Sequence, residues 1–272
     1  MREIIGQMNP GMEFADLHIH TRESDGRMKP KDAVRLAASI PHLGAIAITD
    51  HESIKGAEIA KNDCLKKGYQ LEVVVGAEIT TKDGHLLGLF LAEDIPSGKS
   101  VEWTIDQIHK QGGLAAGAHP MFGLSRSLRR RKAYSLARNY GNGVYLDGFE
   151  VFNAGVADIR VSKSNERATD FYLKYRPGLG AAIGSTDGHF YTIGRGLTGF
   201  TGDLYEAIKN KETVAVTLDV REKLQIFEVA IQLFGSMVIE NLRRIIRYLE
   251  RVRKGEELVF LQGAQRLVQK YA

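Results

Sequence analysis

One cysteine in 272 residues, Cys64, cannot form a disulfide within the chain and cannot supply a thiolate-rich metal site. A reducing compartment is the matching environment. No segment approaches the ~20 uncharged apolar residues that a membrane-spanning helix needs. The opening stretch, MREIIGQMNPGM, has neither a long apolar run nor a small-residue cleavage site, so a cytoplasmic location is the expectation. The six prolines are scattered, and no low-complexity linker or internal repeat interrupts the chain. Charge of either sign is not in large excess. A net charge of +4 and a pI near 9.0 permit an anionic partner without demanding one.

What is present is a regular alternation. Apolar, β-branched runs occur at 14–19, 45–49, 71–79, 86–91, 114–118, 148–152, 181–184 and 213–218. Amphipathic stretches separate them, at 30–40 with proline in the first turn, 53–67 closed by Gly68, 100–111 closed by two glycines, 158–175, and 203–209 opened by an aspartate. Strand followed by helix, repeated, implies a mostly parallel α/β sheet, either open or closed into a barrel. No sharp change of composition precedes about Asp219.

The ionisable residues fall at one place in this pattern. His18 and His20 end the first run, Asp50 and His51 the second, Glu78 the third and His119 the fifth, while Asp187 and His189 follow the seventh. His85 stands just before the fourth. Six of the eight histidines therefore sit at or near strand ends, where the C-terminal edges of parallel strands converge on one face. A single histidine at a strand end is more often packed or capping than ligating. Six of them with several carboxylates, buried in one cleft, would leave costly unpaired charge unless something cationic compensated. Imidazole and carboxylate without thiolate suit Zn, Mn or Fe. Alternate residues leaving one strand, as in HIH, can turn onto one ion.

The motifs DLHIH, SDG, TDH, GAE, HLLGL, AHP and STDGH, in this order over roughly residues 14 to 200, resemble those of the PHP (polymerase and histidinol phosphatase) superfamily. The resemblance implies a distorted (β/α)7 TIM-like barrel carrying two to three divalent ions (Mn, Zn or Fe) and hydrolysing phosphate esters. It implies one ion held by His18, His20, Glu78 and Asp187. A second would share Glu78 and take His85 and His119, and a third would take Asp25, His51 and His189. His85 is the least certain of these, since a histidine after KDG also reads as an edge-strand turn residue. Asp16 and Asp50, beside ligating histidines, are expected to orient imidazoles or a metal-bound water. The family's last motif has serine next to the aspartate; here Thr186 separates Ser185 from Asp187, which leaves the serine without an assigned role.

Three divalent ions against Asp25, Glu78 and Asp187 leave a site of about +3, suited to a phosphate dianion. Closely spaced ions bring the pKa of a bridging water from ~15.7 towards neutrality, giving a hydroxide nucleophile, so no serine or cysteine nucleophile is needed. Basic residues beside the motifs suggest where phosphate is met: Arg126, Arg129, Arg130, Arg131 and Lys132 follow the AHP motif, and Arg195 follows STDGH. A solvated basic helix face is the plainer reading of the first group. Asn153, ending GFEVFN, either touches substrate or caps its strand. His42 and His109 lie on helical stretches without metal partners and are read as structural.

Nucleic-acid members of the superfamily commonly carry a helical insertion before the histidine matching His119, and here only a short segment separates His85 from His119. The leading expectation is a phosphomonoesterase acting on a small phosphorylated metabolite or nucleotide. One alternative is a 5′-3′ exonuclease on 5′-phosphorylated oligonucleotides, using the basic segment as a backbone track. Another is a non-catalytic regulatory barrel that keeps metal for stability, which a complete ligand set disfavours. A barrel over 1–218 is followed by a helical pattern over 219–272, with Leu224, Phe227, Ile231, Phe234, Val238, Leu242, Ile245 and Leu249 at spacings of three or four. Packing on the barrel is its default reading; a homo-oligomer contact is the alternative.

Overall fold

In a computed structural model, residues 2–123, 126–139, 143–157 and 163–217 are described. The 219–272 pattern and the boundary before it lie outside these residues. Ten strands form one sheet: β1 (Arg2–Ile5), β2 (Glu13–Ile19), β3 (Leu43–Ile48), β4 (Glu72–Thr81), β5 (Gly84–Leu89), β6 (Leu114–Gly117), β7 (Gly148–Asn153), β8 (Ala181–Ser185), β9 (Gly196–Phe200) and β10 (Val214–Thr217). Their order is β1-β10-β9-β2-β3-β4-β5-β6-β7-β8. Helices α1 (Pro30–Ala37), α2 (Lys55–Lys67), α3 (Val101–Lys110), α4 (Arg130–Arg138), α5 (Ala154–Ala157), α6 (Ser164–Tyr175) and α7 (Leu204–Lys209) lie between the strands in sequence.

The helix boundaries follow local chemistry. Pro30 starts α1, where its missing N–H costs nothing. Ser100 and Asp203 cap α3 and α7 by accepting from the N–H groups of Trp103 and Glu206. Gly68, at φ +66°, ends α2. Among the described residues, no helix is long and apolar enough to cross a membrane.

Strands β2, β3 and β4 run parallel, as do β6, β7 and β8, but β5 is antiparallel to both its neighbours. The tight turn at Lys82 and Asp83 makes β4 and β5 a hairpin, where a uniform strand–helix alternation would place a helix. The sheet curls until β8 meets β2. There the Ile19–Gly188 bridge adds a His20 N–H bond to Gly188 O (2.9 Å) and a Gly188 N–H bond to His18 O (3.2 Å). The result is an α/β, nearly closed barrel of seven strands, distorted by the reversed β5.

β1 and β9 are the strands that the run pattern does not anticipate. β9 reads GLTGF, with no alternation, and at Gly196 it passes so close to β8 that a side chain is excluded. A Cβ on Gly196 would lie 2.0 Å from Ser185 O. Thr198 fills the gap with its hydroxyl, which donates to Gly184 O (2.9 Å). Three apolar clusters hold the layers. One packs β2–β4 against α1 and α2 through Ile46, Ile48, Val34 and Ala57; another lies under α3, α4 and α6 around Ile105, Phe149 and Phe171. The third joins small and branched residues of six strands, Ala47, Ala116, Leu17 and Ile183 among them, to Phe200 and α7. Each fully buried Leu or Ile in these clusters contributes about 1.5–3 kcal/mol relative to exposure.

Candidate metal centre

The C-terminal ends of β2, β3, β4, β6 and β8 bring His18, His20, His51, Glu78, His119, Asp187 and His189 to one face. The reversal of β5 explains His85: its strand starts where the others end, so a histidine opening it reaches the same face. Asp25 arrives on the turn after β2. Gly26 in that turn has no room for a side chain, since a Cβ would lie 2.3 Å from His20 O. All nine expected ligands are thus in one place.

Glu78, fully buried, is the hub. Its Oε1 lies 2.7 Å from His85 Nδ1 and 2.7 Å from His119 Nε2; its Oε2 lies 3.3, 3.2 and 3.4 Å from His18 Nε2, His20 Nε2 and His51 Nδ1. Asp187 Oδ1 lies 3.5, 3.3 and 3.4 Å from His18 Nε2, His20 Nε2 and His189 Nδ1. Asp25 Oδ2 faces His51 Nε2 (3.6 Å) and His189 Nε2 (3.3 Å). Among the described residues, three groups have ligand atoms within 4.8 Å of one another: His20, Asp25, His51 and His189; His18, His20 and Glu78; and His51, Glu78 and His85. His18 and His20 lie at the floor. His51, Asp187 and His189 are part-exposed at the rim, so the centre opens on that side.

The donor set fits cations. Asp187 Oδ1 is buried and accepts no hydrogen bond although three imidazole nitrogens surround it, and His85 Nε2 is likewise buried without a partner. His18 Nε2 and His20 Nε2 face each other at 3.0 Å, an arrangement that two neutral rings satisfy only when one carries the hydrogen. Burial alone would raise the carboxyl of Glu78, yet His85, His51, His18 and His119 hold it well below the usual carboxylate range. Asp25 is held low against burial by His189 and His51. Burial would lower His20, but its hydrogen bonds and the charges of Asp187, Glu78 and Asp25 push it up to about 10. Burial pushes His51 down to about 3. Imidazoles so divided between proton-holding and proton-free are what a cation-binding cluster becomes when protons are its counter-ions. His119 (φ +27°) and Asp187 (φ +54°) also hold left-handed backbone, strained for residues with side chains.

The carboxylates of Asp16 and Asp50 meet backbone N–H and hydroxyl groups. Asp16 accepts from Thr186 N (2.9 Å) and Gly194 N (2.8 Å), bracing the segment after β8, and burial raises it to about 6. Asp50 accepts from Thr21 N, Thr21 Oγ1 (2.7 and 2.6 Å) and Ser24 Oγ, bracing the turn that carries Asp25. Asn153 is buried: its amide donates to Glu150 Oε2 and Asp187 Oδ2 (3.2 Å each) and its oxygen accepts from Val156 N (2.9 Å). Of the basic segment, Lys132 is paired with Glu102 (2.9 Å) and Asp83 (3.3 Å), and the Arg130 guanidinium lies over the Phe171 ring. Arg126 and Arg129 remain exposed on the strand of chain whose carbonyl at Arg126 accepts from His85 N (2.6 Å). Arg195 is half-buried, its N–H bound to Thr186 Oγ1 (3.0 Å).

Glu150 on β7 escaped the sequence reading. It is buried and accepts from His18 Nδ1 (2.9 Å), Ser185 Oγ, His119 N and Asn153 Nδ2. Ser185 thereby has its role. The available signal was a carboxylate in an otherwise apolar run.

The PHP domain profile matches residues 16–216. An uncharacterized protein of Methanocaldococcus jannaschii is 40% identical over 151 residues, spanning 52% of this chain and 81% of that one. A 5′-3′ exoribonuclease of Escherichia coli is 35% identical over 104 residues, which cover 37% of this chain and about a third (34%) of the exoribonuclease. Among solved structures, a two-domain protein of Bacteroides vulgatus containing a predicted PHP-like metal-dependent phosphoesterase superposes with a TM-score of 0.60 at 21% identity, covering 86% of this chain and 73% of that one.

Proposed function

This chain belongs to the PHP domain family, and from that premise we propose that it is a metal-dependent phosphoesterase whose substrate is a small phosphomonoester, hydrolysed at a two- or three-ion centre. The observation that carries this reading is Glu78, one buried carboxylate within 3.4 Å of five imidazoles. His18, His20, Glu78 and Asp187 would hold one ion; Glu78, His85 and His119 a second; Asp25, His51 and His189 a third. Bound divalent ions supply a nucleophile from water at neutral pH and neutralise charge on the phosphoryl oxygens.

The chain's own residues account for the rest. Glu78 and the histidines around it fix the centre at the floor of the cleft, and the part-exposed His51 and His189 leave the rim open to an incoming phosphate. Asp16 and Asp50 hold the two ligand-bearing turns still. The connection from His85 to His119 consists of β5, a loop, α3 and β6, with no added domain over the cleft, which supports a compact, open site. Arg126 and Arg129, exposed beside His85, are positioned to meet anionic groups that extend beyond the reacting phosphate.

A second reading, 5′-3′ exonuclease action on 5′-phosphorylated oligonucleotides, draws on the 35% identity to the E. coli exoribonuclease. Mn-loaded protein assayed against phosphomonoesters, phosphodiesters and 5′-phosphorylated oligonucleotides separates the two, since one releases inorganic phosphate and the other mononucleotides. Failure to turn over any member of the panel would overturn both.

The arginines sharpen the choice. Replacing Arg126 and Arg129 together by glutamine is expected to change turnover of a sugar phosphate or mononucleotide by less than about tenfold, ~1.4 kcal/mol. An oligonucleotide substrate should suffer more, with a shallower dependence of KM on salt because fewer counter-ions are released. Equal large losses on both substrate types would put an arginine at the scissile phosphate itself.

A further inference from the structure

Of the seven barrel strands, β7 alone brings no residue of the expected ligand set, yet it carries Glu150 and Asn153 into the centre. In a regular strand, residues three apart face opposite sides. Here Glu150 pairs with Ile183 and Phe152 with Gly184, so two steps along β7 match one along β8. The extra residue is a bulge, and it turns Glu150 and Asn153 to the same side.

Hydrogen-bond direction then fixes ring chemistry. An ionised carboxylate only accepts, so the 2.9 Å contact with Glu150 Oε1 requires a hydrogen on His18 Nδ1. In the neutral ring, the Nε2 lone pair is left facing Glu78 Oε2 and Asp187 Oδ1. His119 is set in the same sense by Ser127, whose one hydroxyl hydrogen goes to Phe122 O (2.6 Å), so that Ser127 Oγ accepts from His119 Nδ1 (3.2 Å). Its Nε2 faces Glu78 Oε1.

We propose that Glu150 is a positioning residue for the metal centre, fixing the tautomer of His18 directly and holding His119 through its backbone N–H and Asp187 through Asn153. One carboxylate on β7 thereby keeps ligands from β2, β6 and β8 in mutual register for a divalent cation. The inference rests on the metal-centre reading above.

The test compares Mn2+ binding by wild-type protein and Glu150→Gln in equilibrium dialysis, well below either melting transition. Glutamine keeps the volume but offers one acceptor oxygen and turns an NH2 towards donors. At least one ion is expected to bind about 10- to 100-fold more weakly, while the circular dichroism of the metal-free variant stays that of the wild type. A merely structural carboxylate would lower the melting temperature and leave Mn2+ affinity in the folded protein unchanged. Affinities within twofold would overturn the role of Glu150 alone, whereas wild-type protein that binds no Mn2+ overturns the metal-centre reading and this one with it. Should Glu150→Gln fail to fold, histidine 15N spectra of Zn2+-loaded wild-type protein decide: Nδ1–H with metal on Nε2 of His18 supports the proposal, and metal on Nδ1 overturns it.

Discussion

Replacing Glu78 by alanine is expected to strip more than one ion from the reconstituted protein and to lower kcat/KM by ~10³-fold or more, about 4 kcal/mol of transition-state stabilisation. Its two oxygens serve five imidazoles, so no single group of ligands can lose it without the others losing it too. His189→Ala is the control. That ring faces Asp25 (3.3 Å) and Asp187 (3.4 Å), so its removal should cost mainly one ion. Glu78→Gln keeps the shape and removes only charge, which separates a packing defect from an electrostatic one. Elemental analysis of the three loaded variants checks the ranking. Equal metal loss from Glu78→Ala and His189→Ala would contradict a shared carboxylate.

Chelation should act on rate and stability together. Ions bound only by the folded state stabilise it by mass action, by about 4.1 kcal/mol for each ion whose free concentration is 1,000 times its Kd. Without them Glu78, Asp25 and Asp187 depend on imidazolium for counter-charge, and groups such as Asp187 Oδ1 keep no hydrogen-bond partner. Hydrolysis is expected to vanish on treatment with a chelator, the melting temperature to fall by several degrees, and both to return on adding Mn2+. Full activity in chelated protein would refute metal dependence. Lost activity with an unchanged melting temperature would refute only the stabilising half.

The clustering of candidate ligands was legible because HIH, TDH and TDGH place imidazoles and carboxylates at strand ends within a few residues, while their division among ions came from the resemblance of the motifs. The alternating α/β sheet was legible because apolar runs separated by capped amphipathic stretches imply parallel strands, while its closure into a barrel followed from the resemblance of the motifs and not from the pattern. What the sequence hid depends on contacts between distant segments. β9 opens on a glycine because β8 crowds it there, a fact about Ser185 rather than about residues 196–200. Glu150 looks like a lone charge in an apolar strand until the β7 bulge, which brings Asn153 to its side, and three donors from elsewhere in the chain give it work. The direction of β5 turns on a two-residue hairpin, and that reversal alone converts His85 from a strand-opening residue into a member of the centre. Arg130 and Lys132 read equally as phosphate-facing or as a solvated basic face, and their contacts with Phe171, Glu102 and Asp83 are ones that nothing local to the arginine run reveals.

The seam between β2 and β8 bears on how the protein comes apart. It is sewn by the backbones of His18, His20 and Gly188, the first two expected ligands and the third seated between two others, and almost the whole described barrel lies between them in the chain. Closing a loop of that length costs entropy that the seam's own contacts must offset. Ions held on both sides of the seam would add to that closure only once it has formed, so bound Mn2+ is expected to slow unfolding more than it speeds folding, as stopped-flow rates with and without the ion would show.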